Sequence, residues 1–66
     1  MQKAIKAAAA FVGSQAALAR ELGVQKATVN AWVKGRNRVP AEKAVQIEQL
    51  TNKTVTRKDL RPDLFD

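Results

Sequence analysis

Three glycines, at positions 13, 23 and 35, cut the first half of the chain into short stretches, and each stretch carries one apolar face at helical spacing. A glycine just past such a stretch stands where a helix end favours positive φ. This punctuation predicts a stack of short helices. No stretch alternates apolar and polar residues for long enough to make a strand, so sheet content near zero is expected.

The first helix is predicted over Gln2–Val12, with Ile5, Ala8, Ala9 and Val12 on one face. Gly13 ends it, and Ser14 suits the N-cap of a second helix, Gln15–Leu22, whose apolar residues are Leu18, Ala19 and Leu22. A third helix over residues 25–34 buries Val29, Trp32 and Val33, and Gly35 closes it. After the basic loop Arg36-Asn37-Arg38, Pro40 fits the first turn of a fourth helix. That helix runs to about Thr51, with Ala44, Ile47 and Leu50 facing inward. In the tail, residues 54–66, Thr56 and Asp59 form a capping-box pattern with Asp in place of Glu. It opens a single turn over Arg57–Leu60, which Pro62 stops, and Val55 precedes it in an extended segment. The class is all-α, a compact four- to five-helix domain spanning residues 1–66. A chain of 66 residues buries only about 60% of its unfolded surface, so Leu60, Leu64 and Phe65 near the C-terminus are expected to find cover, in the core on the first and fourth helices, against another subunit in self-association, or against a partner.

The side-chain inventory argues against an enzyme. The chain has no cysteine, histidine or tyrosine, and its one serine, Ser14, lacks a base to activate it. No metal or cofactor site is expected. The apolar run at residues 7–12 is too short for a membrane span and lacks a cleavage pattern, which makes the bacterial cytoplasm, at the nucleoid, the expected location.

Charge narrows the partner. The formal net charge is +6. Up to Arg38 there are seven basic residues (Lys3, Lys6, Arg20, Lys26, Lys34, Arg36, Arg38) against Glu21 alone, whereas residues 39–66 are neutral. A one-signed first half beside a neutral second half points to nucleic acid.

Residues 15–34 read as a helix-turn-helix. Ala19 is small where the second helix crosses, Gly23 tolerates the turn, Val24 plugs it, and Val29 and Trp32 anchor the second helix. The side of that helix opposite Val29, Trp32 and Val33 carries Ala27, Asn30, Ala31 and Lys34, with Lys26 at its leading end and Thr28 flanking. Asn30 can hydrogen-bond base edges, Lys26 and Lys34 can reach guanine or phosphate, and the two alanines admit close approach. Ser14 and Gln15 lie at a helix end that can receive a phosphate. Gln25, Arg36 and Arg38 complete the candidate DNA contacts. Trp32 reads as core and not as a stacking platform.

The stretches GSQAALARELGV, TVNAWVKG, VPAEKAVQIEQLT and LRPDLF together resemble the Cro/CI family of phage and prophage regulators, and within it the short Cro-like branch that includes the YdaS-type antitoxins. The resemblance implies five helices in a lambda-repressor-like arrangement, operator binding as a homodimer or higher oligomer, and transcriptional repression. It puts recognition on Lys26, Ala27, Asn30, Ala31 and Lys34, with Gln15 supporting. Gln25 departs from the serine cap that relatives often carry. The C-terminal dimerisation strand of many Cro proteins has no counterpart here. The reading is therefore a repressor of a phage, prophage or toxin–antitoxin operon that binds a double-stranded DNA operator. The alternative is an antitoxin or interaction protein that binds a toxin or other protein through its tail. A third, RNA-binding reading is poor, because no surface aromatics are available to stack bases.

Overall fold

The computed structural model describes residues 2–65. Five helices follow one another: α1 (Gln2–Val12), α2 (Gln15–Leu22), α3 (Lys26–Val33), α4 (Ala41–Leu50) and α5 (Arg57–Leu60). There is no strand among the described residues.

The core is where the apolar faces converge. Ile5, Ala8 and Ala9 of α1 meet Leu18, Ala19 and Leu22 of α2, Val29 and Trp32 of α3, Ala44 and Ile47 of α4, and Leu60 of α5. Val39 and Val55, from the connecting segments, complete it. Val12, Val33 and Leu50, each expected to face inward, are only half-buried and pack at the margin.

The helix ends follow backbone chemistry. Ser14 Oγ accepts from the Ala17 N–H at 3.0 Å and caps α2. Gly23, at φ 70°, stops α2: its N–H donates to Arg20 O and the Val24 N–H to Ala19 O, the paired bonds of a Schellman ending. The same pair recurs past α3, from Gly35 to Trp32 O and from Arg36 to Ala31 O. It recurs again past α4, from Asn52 to Gln49 O and from Lys53 to Glu48 O. There, Asn52 and Lys53 hold positive φ without glycine, a conformation that asparagine tolerates better than most residues. The predicted capping box is present: Thr56 Oγ1 accepts from the Asp59 N–H, and the Asp59 carboxylate accepts from the Thr56 N–H, each at 3.1 Å.

Four boundaries shift, two on α3 and two on α4. Helix α3 starts at Lys26 and ends at Val33, with Gln25 and Lys34 as its caps. Pro40 is the N-cap of α4 and not part of its first turn, since its ψ of 152° is extended. Thr51 lies just past α4, and its buried hydroxyl donates to Ile47 O at 2.8 Å and accepts from the Val55 N–H at 3.1 Å. That pair of bonds turns the chain back on itself and lays the tail across α1 and α4.

The tail is mostly intramolecular. Leu60 is 1% exposed, Phe65 packs at the margin of the core, and Leu64 stays 52% exposed. Phe11 of α1, which the sequence does not mark out, is the other large exposed apolar side chain among the described residues, at 53%.

Candidate nucleic-acid interface

Helices α2 and α3 cross at the Gly23 turn, and α1 buttresses both. Ala19, Val29 and Trp32 are buried and Val24 is half-buried, so the five positions that signal a helix-turn-helix lie where the motif needs them. With its anchors buried, α3 must turn its other side outward. Lys26, Ala27 and Lys34 are exposed there, and Thr28, Asn30 and Ala31 are half-covered. An α-helix is about 10–12 Å across with its side chains, a width that a DNA major groove admits.

Asn30 is not a free side chain. It is half-buried, and its Nδ2 donates to Gln15 Oε1 at 3.1 Å, which ties the start of α2 to the middle of α3. The expectation that it simply faces away from the core is corrected accordingly: at 100° per residue from Val29, it lies on the flank of α3 that α2 approaches. Gln25 makes no side-chain cap bond and its side chain is exposed, so the first turn of α3 is capped by no side chain. Ser14 is exposed beside Gln15.

The basic loop is partly occupied. Arg38 Nη1 lies 3.2 Å from Asp63 Oδ2. Asp63 in turn accepts two bonds from Arg61, at 3.0 and 2.8 Å, and Arg61 also donates to Val39 O at 2.8 Å. The Arg61 hydrogen bonds hold the Asp63 carboxyl down to about 2, with a smaller contribution from Arg38. The sequence reading treats residues 36–38 and the tail as separate. Arg61-Pro62-Asp63 signals the local Arg61–Asp63 pair, but nothing in the sequence marks Arg38 as its third member. Lys43, on α4, is also engaged, donating to Leu22 O at 3.1 Å. Among the described residues no carboxylate pairs with Lys26, Lys34 or Arg36.

The site therefore gathers Ser14, Gln15, Gln25, Lys26, Ala27, Thr28, Asn30, Ala31 and Lys34 around one helix and its approach, with Arg36 just past its end. Arg38 stands apart, paired with the tail. No helix is long and apolar enough to cross a membrane, and no acidic cluster able to hold a metal occurs among the described residues.

Fold and site together define an all-α helix-turn-helix domain of the Cro-like class. The chain belongs to the YdaS family: the family described as "Bacterial toxin YdaS" matches residues 4–66. It is 48% identical over 59 residues to the "Putative transcriptional regulator YdaS" of Escherichia coli (strain K12). That match covers 89% of this chain and 60% of the relative, so the chain spans about three-fifths of the length of that protein. Among solved structures, the "Cro protein from putative prophage element Xfaso 1 in Xylella fastidiosa strain Ann-1" superposes with a TM-score of 0.87. The two are 44% identical, and the match covers 96% of this chain and 95% of the other. The family description says toxin where the sequence resemblance suggested an antitoxin. The names of the relatives say regulator and Cro.

Proposed function

We propose that this chain is a sequence-specific DNA-binding repressor of Cro type, serving a phage, prophage or toxin–antitoxin operon in the bacterial cytoplasm. The observation that carries the reading is the outward side of α3: small at Ala27, basic at Lys26 and Lys34, and free of acids. Helix α3 enters the major groove, Lys26, Ala27, Asn30, Ala31 and Lys34 meet base edges or phosphates, and Ser14, Gln15 and Gln25 approach the backbone beside them. Arg36 supplies charge to a flanking phosphate, and Arg38 does so once released from Asp63.

Two copies bind together. Half-sites of a two-fold operator lie about 34 Å apart, whereas the longest dimension of one protomer is 29 Å. One copy therefore cannot occupy both. An electrophoretic shift with the DNA upstream of the protein's own gene tests the reading, titrated against salt. If a dimer neutralises about six phosphates, log K falls with log salt at a slope of about −5. An affinity indifferent to salt would sink the electrostatic part.

One observation favours a second reading. Leu64 projects from a tail that is otherwise docked, and a protein partner such as a toxin would find it exposed. Co-purification that survives removal of DNA, and is lost in Leu64→Asp, would establish that role.

A further inference from the structure

Beside the start of α1 the fold leaves a cleft of about 430 Å³. Its apolar lining comes from four separate parts of the chain: Ile5 of α1, Trp32 of α3, Val39 of the loop that follows, and Leu60 of α5. Each of these is a core residue at most 5% exposed, so the apolar base is narrow. Gln2, Asn37 and Arg38 also line the cleft, and all three are exposed, so polar groups stand at its mouth. An apolar base under a few polar groups, near the lower end of roughly 300–1,000 Å³, is the ordinary form of a small-molecule site.

Arg38 is the only charged residue that lines this cleft, so an anion meets a cation there and no carboxylate. The chain already sets a carboxylate on it: Asp63 takes one bond from Arg38, at 3.2 Å. That bond is weak competition. Both side chains are well exposed, and an ion pair in water contributes little. Asp63 keeps its two bonds from Arg61 if Arg38 leaves. Of the five N–H donors that a guanidinium carries, Arg38 uses one among the described residues.

We infer that this cleft binds a small aromatic carboxylate, with the ring on the apolar base against Trp32 and the carboxylate on the Arg38 guanidinium. A planar carboxylate matches the guanidinium fork with two parallel bonds, and an aromatic ring gains edge or offset contacts with an indole. A partner helix, about 10–12 Å across, is too wide for the space. The site stands apart from the DNA-binding reading, and its test needs no DNA.

Trp32 is the only tryptophan, so its indole N–H gives one signal that reports on the base of the cleft. Phenylacetate, titrated into the isotope-labelled chain, should shift that signal and the Ile5 and Leu60 methyls saturably, with a Kd of roughly 0.1–1 mM, what so small a ligand ordinarily reaches. Phenylacetamide, which keeps the ring and loses the charge, should bind at least about 10-fold more weakly, as expected for loss of a charge-assisted pair. Acetate, which keeps the charge and loses the ring, should leave the Ile5 and Leu60 methyls unmoved. Arg38→Ala should bind phenylacetate and phenylacetamide equally, and Arg38→Lys should restore part of the difference. Asp63→Asn removes the competing carboxylate and should tighten phenylacetate binding a few-fold, an effect that a ligand seated elsewhere would not show. The site is overturned if phenylacetate gives no saturable shift by about 10 mM, if phenylacetamide binds wild type as well, or if Arg38→Ala keeps the preference for the acid. The comparison of the three ligands on wild type decides the matter even if a variant fails to fold.

Discussion

Glu48 of α4 and Arg57 of α5 are joined by three hydrogen bonds across nine residues of chain: the Arg57 backbone N–H reaches Oε2 at 3.0 Å, and the guanidinium reaches Oε1 at 3.0 and 2.8 Å. Glu48 is only 9% exposed, on a helix face where the sequence suggests apolar cover. Arg57 makes the burial tolerable, because a carboxylate with all its bonds made need not be hydrated. Arg57 also lies 5.6 Å from the Phe65 ring centre, so one side chain ties together α4, α5 and the chain end. Glu48→Ala should lower the thermal midpoint, and Glu48→Gln, which keeps an acceptor, should lower it less. Hydrogen exchange at the Leu60 and Arg61 amides, both bonded within the α5 turn, should accelerate in the same order.

Acid should loosen the tail. The Asp63 carboxyl is lowered from 3.8 to about 2, chiefly by its bonds to Arg61, and Glu48 is also lowered, chiefly by Arg57. A depressed carboxylate contributes stability that is complete above its unfolded value and disappears as pH falls through its folded value. The thermal midpoint should therefore fall between about pH 4 and pH 2. Asp63→Asn should flatten that fall, with the change confined to this window.

If the chain binds DNA as proposed, the same carboxylate should restrain that binding. Arg38 is shared with Asp63 in the free protein, so a phosphate must compete for it. Asp63→Asn should strengthen binding to all duplexes alike and steepen the salt slope. Arg36→Ala, which removes a cation with no carboxylate partner among the described residues, should flatten the slope by about 1 for each protomer. Filter binding across a salt series measures both.

Residues in the core and residues on the reading face should separate in stability measurements. Trp32→Ala should cost about 3–5 kcal/mol, most of what so small a domain has, and leave it largely unfolded. Asn30→Ala loses the hydrogen bond to Gln15 and should cost about 0.5–1.5 kcal/mol, a measurable decrease that leaves the fold intact. Ser14→Ala should cost about 0.5–2 kcal/mol through loss of the α2 cap. Urea melts followed by circular dichroism would rank the three.

Leu64 separates the two roles of the tail. Cutting after Asp59 removes Leu60, a core residue, and should unfold the chain. Leu64→Asp leaves the core untouched. If the exposed leucine joins two copies, sedimentation should show the oligomeric mass fall while the thermal midpoint holds.

The helices, their order and the outward side of α3 were legible in the sequence because each rests on local rules. Apolar residues at i, i+3 and i+4 fix a face, glycine takes positive φ past a helix end, and a threonine with an acid three residues on makes a cap. The third Schellman ending escaped notice because Asn52 does glycine's work there, so the sequence lacks its usual mark. Tertiary structure alone decided which polar groups far apart in the chain meet. Gln15 and Asn30 are 15 residues apart, Arg38 and Asp63 are 25, and Arg61 reaches a carbonyl 22 residues back. Such pairs depend on how helices cross and where the chain folds back, through a buried Thr51 hydroxyl that looks in sequence like any other helix-end threonine. Local periodicity says which side of a helix faces water. It does not say which neighbour arrives at the boundary, and there Asn30 gains a partner and Arg38 gives up its freedom.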